Sequence, residues 1–324
     1  MTDESGAWMS EKNEPRPRDF LGYGKAKPKV VWPGNAELAI SFVVNLEEGA
    51  ENAFEDGQPT NDKLGEFVSA LPDGMRDLAM EQIHEYGLRV GVWRILDLFD
   101  RYSRRSTFYM CGRAVERSPE IAREIVERGH EPASHGYRWV CHALFKDYET
   151  EKAELQKADE AIERVTGERP LGFYSMWAPS LNTRRILQEL GFVYDSNAYN
   201  DDLPYYDTSL PGGPMLIVPY ALDSNDFKFI AGDPWGSPQA YFDYLRCAVE
   251  FLLDEGKRGE PKMLNIGLHL RIVGRPARLW ALEKFMQYLQ DLGDRVWVAR
   301  RIDIARHWLA TQPPRAGVAD IPRT

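Results

Sequence analysis

One run near the start of the chain, Leu38-Ala39-Ile40-Ser41-Phe42-Val43-Val44-Asn45-Leu46, limits the fold more than any other stretch. It is almost unbroken in apolar residues and rich in β-branched ones. That pattern predicts a strand covered on both faces, as in a parallel sheet flanked by helices. The run stops abruptly at Glu47-Glu48-Gly49. Beyond it, apolar runs and amphipathic stretches alternate. Helical spacing over residues 86–102 leads into a strand at 106–111. A helix opened by Pro119 and closed by Gly129 leads into a short strand at 130–134. Helices are expected at 150–166, 182–190, 241–253, 278–292 and 302–309. Strands are expected at 171–176, 192–195, 215–219, 263–269 and 295–298.

About seven βα units in succession, with no linker between them, predict an α/β protein built as a distorted (β/α)7-type parallel barrel. Residues 21–324 form a single catalytic domain in this reading. Residues 1–20, rich in acids and prolines, are expected to be a flexible arm. The irregular stretch 51–81, punctuated by Gly, Pro and Asp, reads as a long strand-end loop.

The formal net charge of −10 argues against nucleic acid or an anionic membrane surface as the main partner. The three cysteines form no C-x-x-C pair, no signal-peptide core is visible, and no apolar run is long enough to span a bilayer. A cytoplasmic enzyme with reduced thiols and a small-molecule substrate is the expectation. No phosphate-binding loop, dinucleotide fingerprint or nucleophile elbow appears, so no organic cofactor is expected.

In a parallel barrel the working residues gather where strands end. Those ends carry Glu47 and Glu48, then His135 with His142 beyond it, then Met176-Trp177, Asp195 and finally His269. Adjacent carboxylates and three histidines at strand ends suit hydrolysis: a carboxylate activates water, and an imidazole gives and takes protons near neutral pH. Glu85 and Tyr86 precede a helix and are expected to line the pocket. His84 is expected there too, whereas His130 and His307 read as structural.

The stretches SFVVNLEEGAEN, IHEYGLRVGVWRILDLF, EPASHGYRW, TGERPLGFY, YDSNAYNDDLPYY, IVPYALDSND, KMLNIGLH and RVWVARRIDIARHWL together resemble the polysaccharide deacetylase superfamily, and its allantoinase-like branch most closely. The resemblance implies a distorted parallel barrel. It also implies hydrolysis of a non-peptide carbon–nitrogen bond in a small amide, ureide or cyclic amide, and a homo-oligomer, commonly a tetramer. N-deacetylation of a glycan and a catalytically silent binding protein remain as alternatives.

In the metal-dependent members strand one ends in Phe-Asp-Asp-Gly, with a base followed by a metal ligand, and two histidines follow as His-x-x-x-His. Here Leu46-Glu47-Glu48-Gly49 fills the first motif, and Trp139 stands where the second histidine would be. The allantoinase branch shares this break and works without a metal. Glu48, His135 and His142 could still offer three ligands to Zn²⁺. The alternative is that His142 hydrogen-bonds at the rim.

By resemblance Glu47 is the base and His269 the general acid. Met176 or Trp177 replaces a motif arginine, for which Arg271 from a neighbouring strand is the candidate substitute. Arg271 would then help stabilise the oxyanion. Asn45, Glu85, Tyr86, Trp139, Met176, Trp177 and Asp195 are the candidate substrate-lining residues.

Overall fold

The computed structural model describes residues 18–231 and 235–314. In it β1 (Leu38–Leu46) is buried along its whole length. α1 (Leu78–Tyr86), a π-helical turn (Gly87–Gly91) and α2 (Val92–Arg101) follow, then β2 (Thr107–Met110), α3 (Gly112–Arg117), α4 (Pro119–Glu127) and β3 (Glu131–Ser134). The middle of the chain holds α5 (Tyr148–Thr166), β4 (Gly172–Phe173), α6 (Thr183–Glu189), β5 (Tyr194–Asp195), β6 (Tyr205–Asp207) and β7 (Met215–Ile217). Last come α7 (Pro238–Lys257), β8 (Lys262–His269), α8 (Leu270–Val273), α9 (Pro276–Leu292), β9 (Val296–Val298) and α10 (Arg301–Thr311).

The strands lie in the order β6-β7-β5-β4-β3-β2-β1-β8, and β9 pairs with β1. All pairings are parallel except β6 with β7. β6 and β8, the two ends of this order, do not pair with each other among the described residues. The expected barrel is therefore a curled, parallel-dominated half-barrel.

Alternation along β1 sorts its side chains onto two faces. Phe42, Val44 and Leu46 join the main core under the helices. There Phe42 meets Phe99 of α2 and Phe285 of α9 at ring-centroid distances of 5.5 and 6.2 Å. Val43 faces inward with Tyr109, Ala133, Tyr174 and Tyr220. Ser41 and Asn45 share its parity, so polar side chains line the concave side. Buried Arg301, at the start of α10, fills part of that interior by donating to Ser196 Oγ and to the Val218 and Pro219 carbonyls.

Three expectations change. The helix expected from residue 86 starts at Leu78, because Asp77 caps it by accepting from the N–H groups of Ala79 and Met80. Gly74 and Pro72 just upstream hide that start in the sequence. The strand expected over 171–176 shortens to Gly172–Phe173. The antiparallel edge strand β6 was not anticipated. The arm expected over residues 1–20 falls, except for its last three residues, outside the described residues. No helix among the described residues is long and apolar enough to cross a membrane.

Candidate active site

Sheet register assembles the site. Asn45 of β1 lies opposite His269 of β8 and Tyr109 of β2, and Met110 of β2 lies opposite Ser134 of β3. His269 and the residues just past these positions, Glu47, His135 and Arg271, therefore share one rim. All four are buried.

Glu47 is the hub. Arg271 Nη1 donates to Glu47 Oε1 at 2.5 Å and lies 3.4 Å from Glu48 Oε1. His135 Nε2 lies 3.6 Å from Glu47 Oε2, and His269 Nε2 lies 3.8 Å from Glu47 Oε1. The Arg271 guanidinium sits over the Trp139 ring, 5.3 Å from its centroid. Glu48 turns toward α8 and Gly87. Its Oε1 accepts from the Arg271 backbone N–H at 3.1 Å, and its side chain fits against Gly87.

Two buried carboxylates beside one guanidinium cannot both ionise without strain. Burial would raise the pKa of Glu47, but the charges of Arg271 and His269, with the His135 imidazole nearby, outweigh it. Glu47 is held well below the usual carboxylate range. Glu48 behaves oppositely: burial and the charge of Glu47 overcome Arg271 and push it up to about 7. The pair is thus split into a carboxylate that stays ionised and a partner whose proton is held more tightly than usual, the kind of divergence between neighbouring carboxyls that acid–base sites use.

Both histidines are oriented by acceptors. His135 Nδ1 donates to the Tyr174 carbonyl, and its ring stacks on Tyr174, which leaves Nε2 facing Glu47. His269 Nδ1 lies 2.7 Å from Asp226 Oδ1, and the His269 backbone N–H donates to Asp226 Oδ2. Burial lowers the pKa of His269, yet Glu47 and Asp226 together raise it above its ordinary value. Asn45 Nδ2 lies 3.0 Å from His269 Nε2, while Asn45 Oδ1 has no partner. A turn of that amide would let Oδ1 accept from Nε2–H once His269 is protonated.

Other candidates lie elsewhere. His142 does not join Glu48 and His135: Glu151 of α5 holds its Nδ1 at 3.1 Å, and Phe145 and Phe173 pack on its ring. Among the described residues no group of three or more His, Cys, Asp or Glu is arranged to hold a metal ion. Arg271 already contacts both carboxylates and Trp139 beside it cannot ligate, so the residues present do not fit a metal, and the cation here belongs to the chain.

Asp195 is not available to a substrate. It is saturated by Arg184 Nε at 2.9 Å and by the backbone and side chain of Asn197. Glu85 faces solvent. Tyr86 packs under Arg275 and takes a hydrogen bond from Arg94, away from the carboxylates. His84 lines a small cleft with Glu51, Asn61 and Asp62, and is not among the groups in contact with Glu47. Met176 bridges to Cys141 and packs on the core. Trp177 stands at the rim, 66% exposed and at a φ of +56°. Arg271, the candidate for the charge of the missing motif arginine, lies with its Nη1 against both Glu47 and Glu48.

Sequence reasoning missed Asp226 and Tyr174. Asp226 closes the quoted stretch IVPYALDSND, but nothing local shows that it turns toward a histidine 43 residues on.

The chain is similar to several known proteins. The polysaccharide deacetylase family model matches residues 81–194. A Schizosaccharomyces pombe protein named "Putative polysaccharide deacetylase" is 36% identical over 319 residues, covering 92% of this chain and 99% of that protein. The crystal structure of Puue allantoinase superposes with a TM-score of 0.88 at 44% identity, covering 93% of this chain and all of that one. The peptidoglycan deacetylase of Helicobacter pylori is 33% identical over 140 residues, 43% of this chain and 47% of that protein. On the full-length match to the S. pombe relative, this chain belongs to the polysaccharide deacetylase family, hydrolases of carbon–nitrogen bonds other than peptide bonds.

Proposed function

We propose that the chain hydrolyses a carbon–nitrogen bond in a small ureide, amide or cyclic amide, with no resident metal. One observation carries this reading. Glu47 Oε2, His135 Nε2, Asn45 Oδ1 and Arg271 Nε and Nη2 are all buried and without partners. Buried polar atoms are normally satisfied, so a cluster of donors and acceptors left open around one carboxylate reads as a site shaped for a polar ligand.

In the proposed reaction a water donates to Glu47 Oε2 and His135 Nε2, and Glu47 takes its proton as the oxygen attacks the carbonyl carbon. The free guanidinium N–H groups of Arg271 receive the developing oxyanion. The carbon–nitrogen bond then breaks, and His269, its charged form stabilised by Asp226, gives its proton to the departing nitrogen. The flat aromatic faces of Trp139 against Arg271 and of Tyr174 against His135 suit a planar ring. The 44% identity to Puue allantoinase supports a cyclic ureide.

The second reading, N-deacetylation of a glycan, is favoured by the match to the H. pylori peptidoglycan deacetylase. Trp139 in place of a ligating histidine weighs against it. Purified protein incubated with allantoin, hydantoins, cyclic imides and N-acetylated sugar oligomers separates the two. Acid formation from a cyclic ureide is expected. Acetate release from the sugars alone would replace this reading with the second.

A further inference from the structure

The short helix α8, which carries Arg271, is held by an unusual feature of its neighbour. α1 and α2 form one continuous helix interrupted by the π-helical turn Gly87–Gly91. Such turns widen a helix by a residue and recur at functional sites. In a regular α-helix Tyr86 and Arg94 would lie about 80° apart around the axis. Here both reach one carbonyl, that of Gly274: Arg94 Nη1 at 3.1 Å and Tyr86 Oη at 3.4 Å.

The glycines bounding the turn face the surroundings of Arg271. A Cβ on Gly91 would strike the Leu270 carbonyl, and one on Gly274 would lie 2.5 Å from Gly91 Cα. A Cβ on Gly87 would lie 2.5 Å from Glu48 Oε1, the atom that accepts from the Arg271 N–H. Neither Gly87 nor Gly91 needs a left-handed backbone, since their φ values are −55° and −60°. What they supply is empty space. Leu270, the residue before Arg271, can therefore press its backbone onto the helix.

We propose that the π turn, with Gly87, Gly91 and the Tyr86–Arg94 clamp on Gly274, is a positioning device that delivers the Arg271 guanidinium to Glu47. The inference rests on Glu47 and Arg271 being the working pair of the proposed hydrolase, but its test does not require turnover.

The test is carbon-13 NMR of protein carrying labelled glutamate carboxyls, with the Glu47 signal identified by its loss in Glu47→Gln. In Gly91→Ala the added methyl lifts α8, and Glu47 is expected to titrate about one pH unit or more above wild type. Arg94→Met removes the shorter of the two clamp hydrogen bonds without adding bulk and is expected to shift Glu47 the same way by less. Gly87→Ala meets the Glu48 side chain first, from Cγ to Oε1, so it should move the Glu48 titration more than that of Glu47.

Once a substrate is found, the acid limb of kcat/KM should follow Glu47 in each variant, with kcat falling more than KM changes. Folded Gly91→Ala and Arg94→Met proteins whose Glu47 titrates as in wild type would overturn the proposal. If Gly91→Ala does not fold, Arg94→Met decides alone. If these shifts appear but no carbon–nitrogen substrate is ever turned over, the positioning stands and the hydrolase reading fails.

Discussion

Two buried histidine–carboxylate clusters sit on neighbouring strand-end loops, and they differ in what they leave open. Around His142, Glu151 is saturated: it holds the imidazole and accepts from the hydroxyls of Ser180 and Thr183. The one free atom, His142 Nε2, lies against Gly136, where a Cβ would sit 2.7 Å away. That cluster ties the loop after β3 to the loop after β4 and leaves no room for a ligand. Around Glu47 a carboxylate and imidazoles, here joined by an arginine, leave a carboxylate oxygen, an imidazole nitrogen and two guanidinium nitrogens free. Completed hydrogen bonds fix loops, whereas incomplete ones in a buried place invite a substrate.

The largest effect should come from Glu47→Gln, which keeps the shape but removes the base. Turnover is expected to fall on the order of 10²–10⁴-fold while substrate still binds, measured as kcat beside calorimetric affinity. Near-normal turnover would move the base elsewhere and erase the contrast between the clusters.

Arg271→Met should lower kcat about 10²-fold or more through the lost oxyanion donors. It also strands two buried carboxylates, so a stability loss of about 3–5 kcal/mol is expected in urea denaturation. A full-strength, fully active Arg271→Met protein would show that the guanidinium is not the site's cation.

Asp226→Asn tests the orientation of His269. The Asp226 carboxylate helps raise the pKa of His269, so the protonated acid persists to higher pH in wild type. Without it the alkaline limb of kcat/KM should move to lower pH, with a loss of about tenfold or more at the optimum. An unmoved limb would assign that ionisation to another group.

His142→Ala should behave as a structural lesion. We expect about 1–3 kcal/mol of destabilisation from the broken buried hydrogen bond, with kcat changed much less than in Glu47→Gln. Comparable losses of activity in the two variants would make the clusters functionally equivalent.

The smallest effect belongs to Glu48→Gln. The folded pKa of Glu48 lies near 7, above the ordinary 4.5, so the folded state binds the extra proton. The stability linked to this group is complete below pH 4.5 and is lost as pH rises toward 7. The glutamine variant should flatten that decline in urea midpoints measured across this window. An unchanged slope would show that Glu48 stays ionised.

Much of this was legible without coordinates. The apolar run of β1 called for a strand covered on both faces, and its abrupt end placed Glu47 and Glu48 at a rim. His135 and His269 followed from the ends of later strands. The replacement of a motif histidine by Trp139 could also be read directly, because motif spacing is a property of the chain. These features depend on local periodicity and on the order of residues, which the sequence contains outright.

Partnerships were a different matter. Arg271 finds Glu47 across 224 residues, and Asp226 finds His269 across 43. His142, which stands close to His135 in sequence, turns instead to Glu151. Asp195 ends a strand as expected, yet Arg184 occupies it. Such pairings are set by parallel register and by the paths of strand-end loops, and neither leaves a periodic trace. The sequence determined which residues reach the rim. Only the tertiary structure decided which of them are satisfied by the protein and which are left open, because burial and hydrogen-bond geometry exist only once the sheet has curled.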